Sequence, residues 1–104
     1  MSKVIFSIQY ELSAGRKDDY LSTIRELKSL LQAEGLENYS VFEVKGKPNH
    51  FHEQYKFISD EAFEEFDDNN DERINILINK ISDLTVEHST KYTTLKELDW
   101  SRFK

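Results

Sequence analysis

The sequence predicts an α+β domain with the ferredoxin-like order strand, helix, strand, strand, helix, strand. Three segments alternate apolar and polar residues at the period of a strand, and a fourth is rich in Thr and Tyr. Two further segments place apolar residues at helical spacing. The order of these segments is that of a split βαβ unit, in which a four-stranded antiparallel sheet carries both helices on one face.

Length and composition limit the chain to one domain with a modest core. Its 104 residues leave no room for a second domain, and we assign residues 1–96 to the fold and residues 97–104 to a C-terminal tail. With 38% hydrophobic residues but only one Pro and three Gly, the composition favours dense regular structure.

Charge and composition exclude several classes of function. The formal charge of −6 opposes general binding to phosphate backbones, so no nucleic acid partner is expected. No apolar run approaches the roughly 18 residues of a membrane span, and the N-terminus is too polar for a signal peptide, which predicts a cytoplasmic protein without a membrane partner. The absence of Cys excludes disulfides, thiolate zinc sites and Cys nucleophiles.

The spacing of apolar residues predicts the first strand and the first helix. Residues 3–11 alternate as a strand, and residues 13–15 turn the chain. A helix is predicted over residues 17–33, where apolar side chains recur at steps of four, three and four: Tyr20, Ile24, Leu27 and Leu31. Gly35 is placed to end this helix in the left-handed conformation.

A hairpin and a direct strand-to-helix transition follow. Strands are predicted over residues 39–45 and 50–58, joined by a turn at residues 46–49. The second of them alternates, with one side carrying Phe51, Glu53, Tyr55 and Phe57. Ser59 is predicted to cap the next helix, whose positive end is complemented by Asp60 and Glu61.

The second helix is predicted to be interrupted. Residues 67–71 prefer caps and turns, a second helical piece then runs to Leu84, and a last strand is expected over residues 89–96. Acidic residues gather around the interruption, without the spacing of an EF-hand loop: Glu64, Glu65, Asp67, Asp68, Asp71 and Glu72. We interpret them as a solvated face.

The two faces of the sheet are predicted from the alternation. The face under the helices should carry Val4, Phe6, Ile8, Tyr10, Phe42, Val44, Tyr55 and Phe57. The bare face should carry Ile5, Ser7, Gln9, Glu11, Tyr39, Val41, Glu43, His52, Gln54, Lys56 and Ile58. A half-apolar bare sheet indicates an interface or a ligand surface, and two such sheets would close into a homodimeric barrel. The tail, with Leu98, Trp100 and Phe103, is expected to lie across the partner subunit or cap a sheet edge.

One segment resembles a known family. Residues 55–66, a strand with Tyr55 running into Ser-Asp-Glu-Ala-Phe, resemble the central segment of antibiotic-biosynthesis monooxygenase-type domains of the dimeric α/β-barrel superfamily. The resemblance implies a homodimer with a pocket between sheet and helices or inside the barrel. Members of the superfamily include cofactor-free monooxygenases acting on quinols or polyketide aromatics, and haem-degrading enzymes. Trp100 lies in the tail and no helix carries a His suited to haem, which argues against haem degradation.

The candidate site is the polar part of the predicted bare face. His52 titrates nearest neutral pH and is predicted to take a proton from a phenolic or quinol substrate. Predicted substrate-binding residues are Ser7, Gln9, Glu43, Gln54, Tyr55 and Tyr92. A wet dimer interface in which these side chains satisfy one another is the favoured alternative. A metal site of His50, His52 and Glu43 is weighed below ordinary solvated structure, so no metal is predicted.

Two classes of function remain open. The first is a cofactor-independent monooxygenase on a small aromatic or quinol substrate, which needs no bound cofactor. The second is a non-catalytic module of the same fold that binds a small molecule or another protein. A sequestered pocket lined by Tyr55 and His52 would favour the first, and an interface filled by side chains would favour the second.

Overall fold

A computed structural model describes residues 2–68 and 71–98, and its described elements follow the predicted order. The strands are β1 (Val4–Glu11), β2 (Leu36–Glu43), β3 (His50–Phe57) and β4 (Lys91–Lys96). The helices are α1 (Lys17–Leu30), α2 (Asp60–Asp68) and α3 (Glu72–Leu84). The strands form one antiparallel sheet in the order β2-β3-β1-β4. The predicted ferredoxin-like fold is therefore confirmed, and so is the interrupted second helix.

Registers of β1 and β3 agree with the predicted faces. Val4 lies opposite Phe57, and Phe6 lies opposite Tyr55, so these side chains share one face. This covered face packs against the helices, as shown by the contact between the rings of Tyr20 on α1 and Phe51 on β3, whose centroids are 4.7 Å apart. On α2, the ring of Phe66 lies 5.3 Å from that of Phe57. No helix in the described part of the chain is long and apolar enough to cross a membrane.

The predicted faces of β2 were wrong. Tyr39 pairs with Tyr55 and therefore lies on the covered face, while Phe42 pairs with His52 on the bare face and is 51% exposed. Val41 and Glu43 also lie on the covered face, and Val44 lies beyond the end of the strand. The strand begins three residues earlier than predicted, and the register shifts at Leu36/Asn38, where a bulge adds one residue. A shift by one residue exchanges the faces of a whole strand.

Four cross-strand rows make up the observed bare face. They contain Ile5, Lys56, Asn38 and Leu95 in the first row, Ser7, Gln54, Ser40 and Thr93 in the second, Gln9, His52, Phe42 and Lys91 in the third, and Glu11 and His50 in the fourth. None of the described helices lies on this side. The tail beyond Leu98, with Trp100 and Phe103, falls outside the described residues, and Leu98 itself is 56% exposed.

Capping explains where the helices of the second half begin. The Ser59 hydroxyl accepts a hydrogen bond from the Ala62 amide at 3.2 Å, as predicted. Asp71 caps α3 by accepting from the Arg73 amide at 3.0 Å. Helix α1 ends at Leu30, three residues earlier than predicted, and its C-cap is Leu31. The prediction that Gly35 ends this helix was therefore wrong, and a short connection leads from the cap to Gly35.

Gly35 allows this connection to pass close to α2. Its φ of +84° is left-handed as predicted, and a Cβ added there would lie 2.5 Å from the Ala62 Cβ. Its carbonyl also accepts a hydrogen bond from the Ile58 amide at 2.9 Å. The approach fixes the start of β2 against the start of α2.

We expect Gly35→Ala to lower the free energy of unfolding by about 2 to 4 kcal/mol, because it combines left-handed strain with overpacking. Gly46→Ala is the matched control, since Gly46 has φ +85° but open space around it, and should cost only about 1 kcal/mol. Urea unfolding followed by circular dichroism measures both. Equal losses for the two variants would contradict the close packing of Gly35 on Ala62.

Candidate functional site

Glu53 is a buried carboxyl group in the middle of the covered face. It lies on β3 between Phe51 and Tyr55, and only 3% of its surface is exposed. Removing a carboxylate from water is costly unless hydrogen bonds replace the lost solvation. The surroundings of Glu53 therefore have to supply donors.

Two tyrosine hydroxyls donate to Glu53, and a third hydrogen-bonds to one of these two. The Tyr10 hydroxyl on β1 donates to Glu53 Oε2 at 2.7 Å, and the Tyr39 hydroxyl on β2 donates to Glu53 Oε1. Because Tyr10 has a single proton and gives it to Glu53, the Tyr20 hydroxyl on α1 donates to the Tyr10 oxygen at 2.7 Å. Each carboxylate oxygen thus has a phenolic donor, and the network joins four elements of the fold.

Burial shifts the pKa values of the whole group. Desolvation raises the pKa of Glu53, against the opposing effect of the hydrogen bonds from Tyr39 and Tyr10. Desolvation also raises the pKa of Tyr10, Tyr39 and Tyr20, so these hydroxyls remain protonated donors at neutral pH. Glu53 is therefore the acid of the group, with a pKa raised above the ordinary carboxyl value, while the tyrosines stay protonated.

A cleft between the sheet and α3 leads to this carboxyl group. Its inner recess has a volume of about 50 Å³ and is lined by Tyr10, Glu53 and Tyr55 together with residues of α3 and β4. An outer cavity of about 280 Å³ shares four lining residues with the recess, which are Ile8, Tyr55, Ile78 and Tyr92. The two spaces form one cleft, with Glu53 at its inner end.

Aromatic rings line the outer cavity. Tyr92 is 65% exposed and stacks on Phe6, with ring centroids 6.0 Å apart and planes 10° from parallel. Phe6 in turn lies 5.9 Å from Tyr55, and Tyr55 lies 5.6 Å from Phe66. Such a surface suits a flat apolar or aromatic ligand.

Four of the predicted site residues share the bare face, on the opposite side of the sheet from this cleft. Gln9 and His52 are cross-strand neighbours, with the Gln9 amide nitrogen 3.4 Å from His52 Nδ1. Ser7 and Gln54 form the next pair, and the Ser7 hydroxyl donates to the Thr93 carbonyl at 3.4 Å. Within the described residues, His52 Nε2 is buried without a hydrogen-bond partner. The structure brings these four together as predicted, without testing a role for any of them.

The other three predicted residues lie on the covered face. Tyr55 was predicted there, and it lines both parts of the cleft. Tyr92 and Glu43 were predicted on the bare face, and this placement was wrong. Tyr92 lies opposite Ile8 and reaches the mouth of the cleft. Glu43 lies opposite Phe51, outside the cleft, where its carboxylate pairs with Lys17 at 3.4 Å.

The structure does not support the alternative metal site of His50, His52 and Glu43. Glu43 faces away from His52 because the register of β2 differs from the predicted one. His50 instead contacts the Pro48 carbonyl and the Glu11 carboxylate, at 2.9 Å and 3.7 Å. Among the residues that the structure describes, no three side chains of the His, Asp or Glu type lie close enough together to hold a metal ion.

The residue that the sequence reasoning missed is Glu53. Its signal was present, since a Glu occupies the second of four positions on a strand face that is otherwise Phe and Tyr. A charged residue on the buried face of a strand is rare unless it is paired. The pattern could have singled out Glu53, although not the tyrosines that surround it.

Solved structures show the same fold in other proteins. SnoaB, a cofactor-independent oxygenase from Streptomyces nogalater, superposes with a TM-score of 0.73 at 10% identity, over 89% of this chain and 90% of that one. An antibiotic biosynthesis monooxygenase gives 0.72 at 21% identity, over 94% and 99%. A conserved protein from Methanosarcina mazei Go1 gives 0.80 at 10% identity, over 94% and 95%.

These likenesses confirm the predicted resemblance at the level of the fold. The chain therefore has the ferredoxin-like fold of antibiotic-biosynthesis monooxygenase domains. No family model and no curated protein sequence matches the chain.

The raised pKa of Glu53 predicts how stability depends on pH. The folded protein binds this proton more tightly than the unfolded chain, whose carboxyl has the ordinary pKa of 4.5. The stabilisation is fully present below that pH and is lost as the pH rises through the raised pKa. We expect the free energy of unfolding of the wild type, minus that of Glu53→Gln, to fall above pH 4.5, by at most about 1.4 kcal/mol per pH unit. Denaturant unfolding across the pH range measures it, and a rising difference would show instead that the tyrosine hydrogen bonds outweigh burial.

Proposed function

We propose that this chain is a cofactor-independent monooxygenase that acts on a small phenolic or quinol substrate in the cleft between the sheet and α3. The observation that carries the proposal is the position of Glu53, a buried carboxyl group at the inner end of an aromatic cleft. A general base works best when its pKa lies near the working pH, and burial raises the pKa of Glu53 in that direction.

The proposed reaction begins with a proton transfer. A substrate hydroxyl in the recess gives its proton to the ionised Glu53, while Tyr10 and Tyr39 hold the carboxylate in place. The resulting phenolate is rich in electrons and reduces molecular oxygen, the co-substrate, to form a carbon–oxygen bond to a peroxide. The proton on Glu53 returns to the peroxide, and loss of water leaves a quinone, so that one oxygen atom enters the product and the other leaves as water.

The cleft supports this chemistry in two further ways. Its outer part offers the faces and edges of Phe6, Phe66 and Tyr92 to an aromatic ring. The recess is lined mainly by apolar side chains, and limited water access strengthens the interaction between a base and its substrate. The shared fold of SnoaB agrees with an oxygenase of this kind.

A non-catalytic role in binding a small aromatic molecule uses the same cleft and is the alternative. The two differ in whether the bound phenol is consumed together with oxygen. Ligand binding that depends on Glu53, without oxygen uptake, would establish the alternative.

We also propose that the bare face pairs with the same face of a second copy to close a barrel. Apolar side chains stand near opposite corners of this face, with Phe42 51% exposed and Leu95 50% exposed. Between them lie polar side chains such as Gln9 and Gln54, which can hydrogen-bond across an interface. His52 Nε2, which is buried without a described hydrogen-bond partner, would then lie where a group of the second copy could hydrogen-bond to it.

We expect Glu53→Gln to lower the rate of oxygen-dependent turnover of a quinol by about 100-fold or more, because the base is lost while the shape of the side chain is kept. Glu43→Gln, which removes a carboxylate from the same face of the sheet outside the cleft, should leave the rate within about twofold. An oxygen electrode with simple hydroquinones as substrates measures both.

His52→Ala distinguishes this assignment from the one predicted from sequence. If Glu53 is the base, His52→Ala keeps most of the activity, since its side chain is on the other side of the sheet. If His52→Ala is inactive while Glu53→Gln is active, the base lies on the bare face and the proposed site is wrong.

We expect Leu95→Asp to shift the protein from dimer to monomer, because it places a charge in the proposed interface. Ile76→Asp is the control, since Ile76 on α3 is 60% exposed and lies outside the bare face. Native mass spectrometry and sedimentation velocity report the mass. A wild-type monomer, or a dimer that Leu95→Asp leaves intact, would exclude pairing through this face.

A further inference from the structure

The charged side chains that line the cleft in the described part of the chain are acidic. Its two parts are lined by three carboxyl groups, Glu53 in the recess and Asp67 and Asp71 in the outer cavity. Among the residues that the structure describes, none of those lining the cleft is a Lys, Arg or His. An anionic ligand would therefore meet like charges and no cation.

The carboxyl groups lie at opposite ends of the cleft. Glu53 reaches only the inner recess, whereas Asp67 lies at the end of α2 and Asp71 at the start of α3, both on the outer cavity. Arg73 hydrogen-bonds to the Asp71 carboxylate and holds its pKa below the usual value, so that Asp71 is ionised but partly neutralised. Asp67 is exposed and forms no ion pair within residues 2–68 and 71–98, so no described cation neutralises its charge and only solvent and salt screen it.

Helix α2, which carries Asp67, adds further negative charge near the outer cavity. Six of the nine residues of α2 are acidic and none is basic, and the whole chain has a formal charge of −6. Fields of this kind raise the local concentration of cations and repel anions over about a Debye length. The mouth of the cleft thus attracts positive ligands before any contact is made.

Aromatic rings lie between the two acidic ends. Phe6, Tyr55, Phe66 and Tyr92 line the outer cavity, and the electron-rich faces of such rings attract ammonium groups. Aromatic rings combined with carboxylates are a common means of binding organic cations in proteins. A neutral ligand would use the rings alone, whereas a cation would use the rings and the carboxylates together.

We infer that the cleft is selective for a positively charged aromatic ligand, a phenol that carries an ammonium group on a short chain. The hydroxyl points to Glu53 in the recess, the ring lies among the aromatic side chains, and the ammonium group lies near Asp67 at the mouth. This inference rests on the proposed function for the hydroxyl end and adds the charge of the other end.

Three phenols of similar size and different charge test the inference. They are 2-(4-hydroxyphenyl)ethylamine, 4-ethylphenol and 3-(4-hydroxyphenyl)propionate, which are cationic, neutral and anionic at pH 7. We expect the amine to bind the wild-type protein about tenfold more tightly than 4-ethylphenol at low ionic strength. The propionate should bind more weakly than either, and 0.5 M salt should reduce the differences. Isothermal titration calorimetry gives the three dissociation constants.

A pair of variants locates the effect. Asp67→Asn should reduce the preference for the amine over 4-ethylphenol at least threefold, whereas Asp68→Asn, which neutralises the next residue outside the cleft lining, should change it less than twofold. Equal effects of both variants would show a diffuse field and overturn the assignment of the ammonium group to Asp67.

The outcomes also separate this inference from the proposed function. If 4-ethylphenol binds as tightly as the amine, and Glu53→Gln weakens both, the charge selectivity is wrong while the proposed function stands. If none of the three phenols binds, both are wrong. An amine preference that disappears with Asp67→Asn supports the inference, whether or not the bound amine is oxidised.

Discussion

The burial of one carboxyl group, Glu53, is the constraint on which much of this structure depends. A carboxylate inside a layer of aromatic rings is stable only if its oxygens receive hydrogen bonds, and here each oxygen has a tyrosine donor. Those donors come from β1 and β2, and a third tyrosine on α1 supports the first. The carboxyl group thus specifies how the strands and the first helix fit together, because a shift of any of them would leave a buried polar group without a partner.

The same constraint explains which parts of the fold could be predicted from sequence. Strands β1 and β3 have one clearly more apolar face, so alternation placed their side chains correctly. Strand β2 has apolar residues on both faces, Tyr39 and Val41 on one and Phe42 on the other, and alternation alone could not choose between them. The Tyr39 hydroxyl bonds to Glu53, a contact between residues 14 positions apart. An interaction of this kind fixes the register but leaves no trace in the local pattern.

The site was harder to predict than the fold for a related reason. Ser7, Gln9, His52 and Gln54 do lie together, because residues two apart on paired strands share a face. The cleft, however, is on the other side of the sheet, and its lining combines residues of β1 and β3 with residues of α3, β4 and the end of α2. Helical and strand periods show which side of an element is apolar, but not where two packed layers leave a gap. The one local signal was a Glu in an aromatic strand face.

Strand β3 connects the two surfaces of the protein. His52 and Glu53 are consecutive, so the strand presents one to the bare face and the other to the cleft. Their side chains cannot touch the same ligand, yet they share a backbone whose position is set from both sides. A partner on the bare face would therefore affect Glu53 through the position of β3 and not through direct contact. Because the tyrosine hydrogen bonds of Glu53 lie within one chain, they hold that position from the cleft side whether or not the bare face is paired.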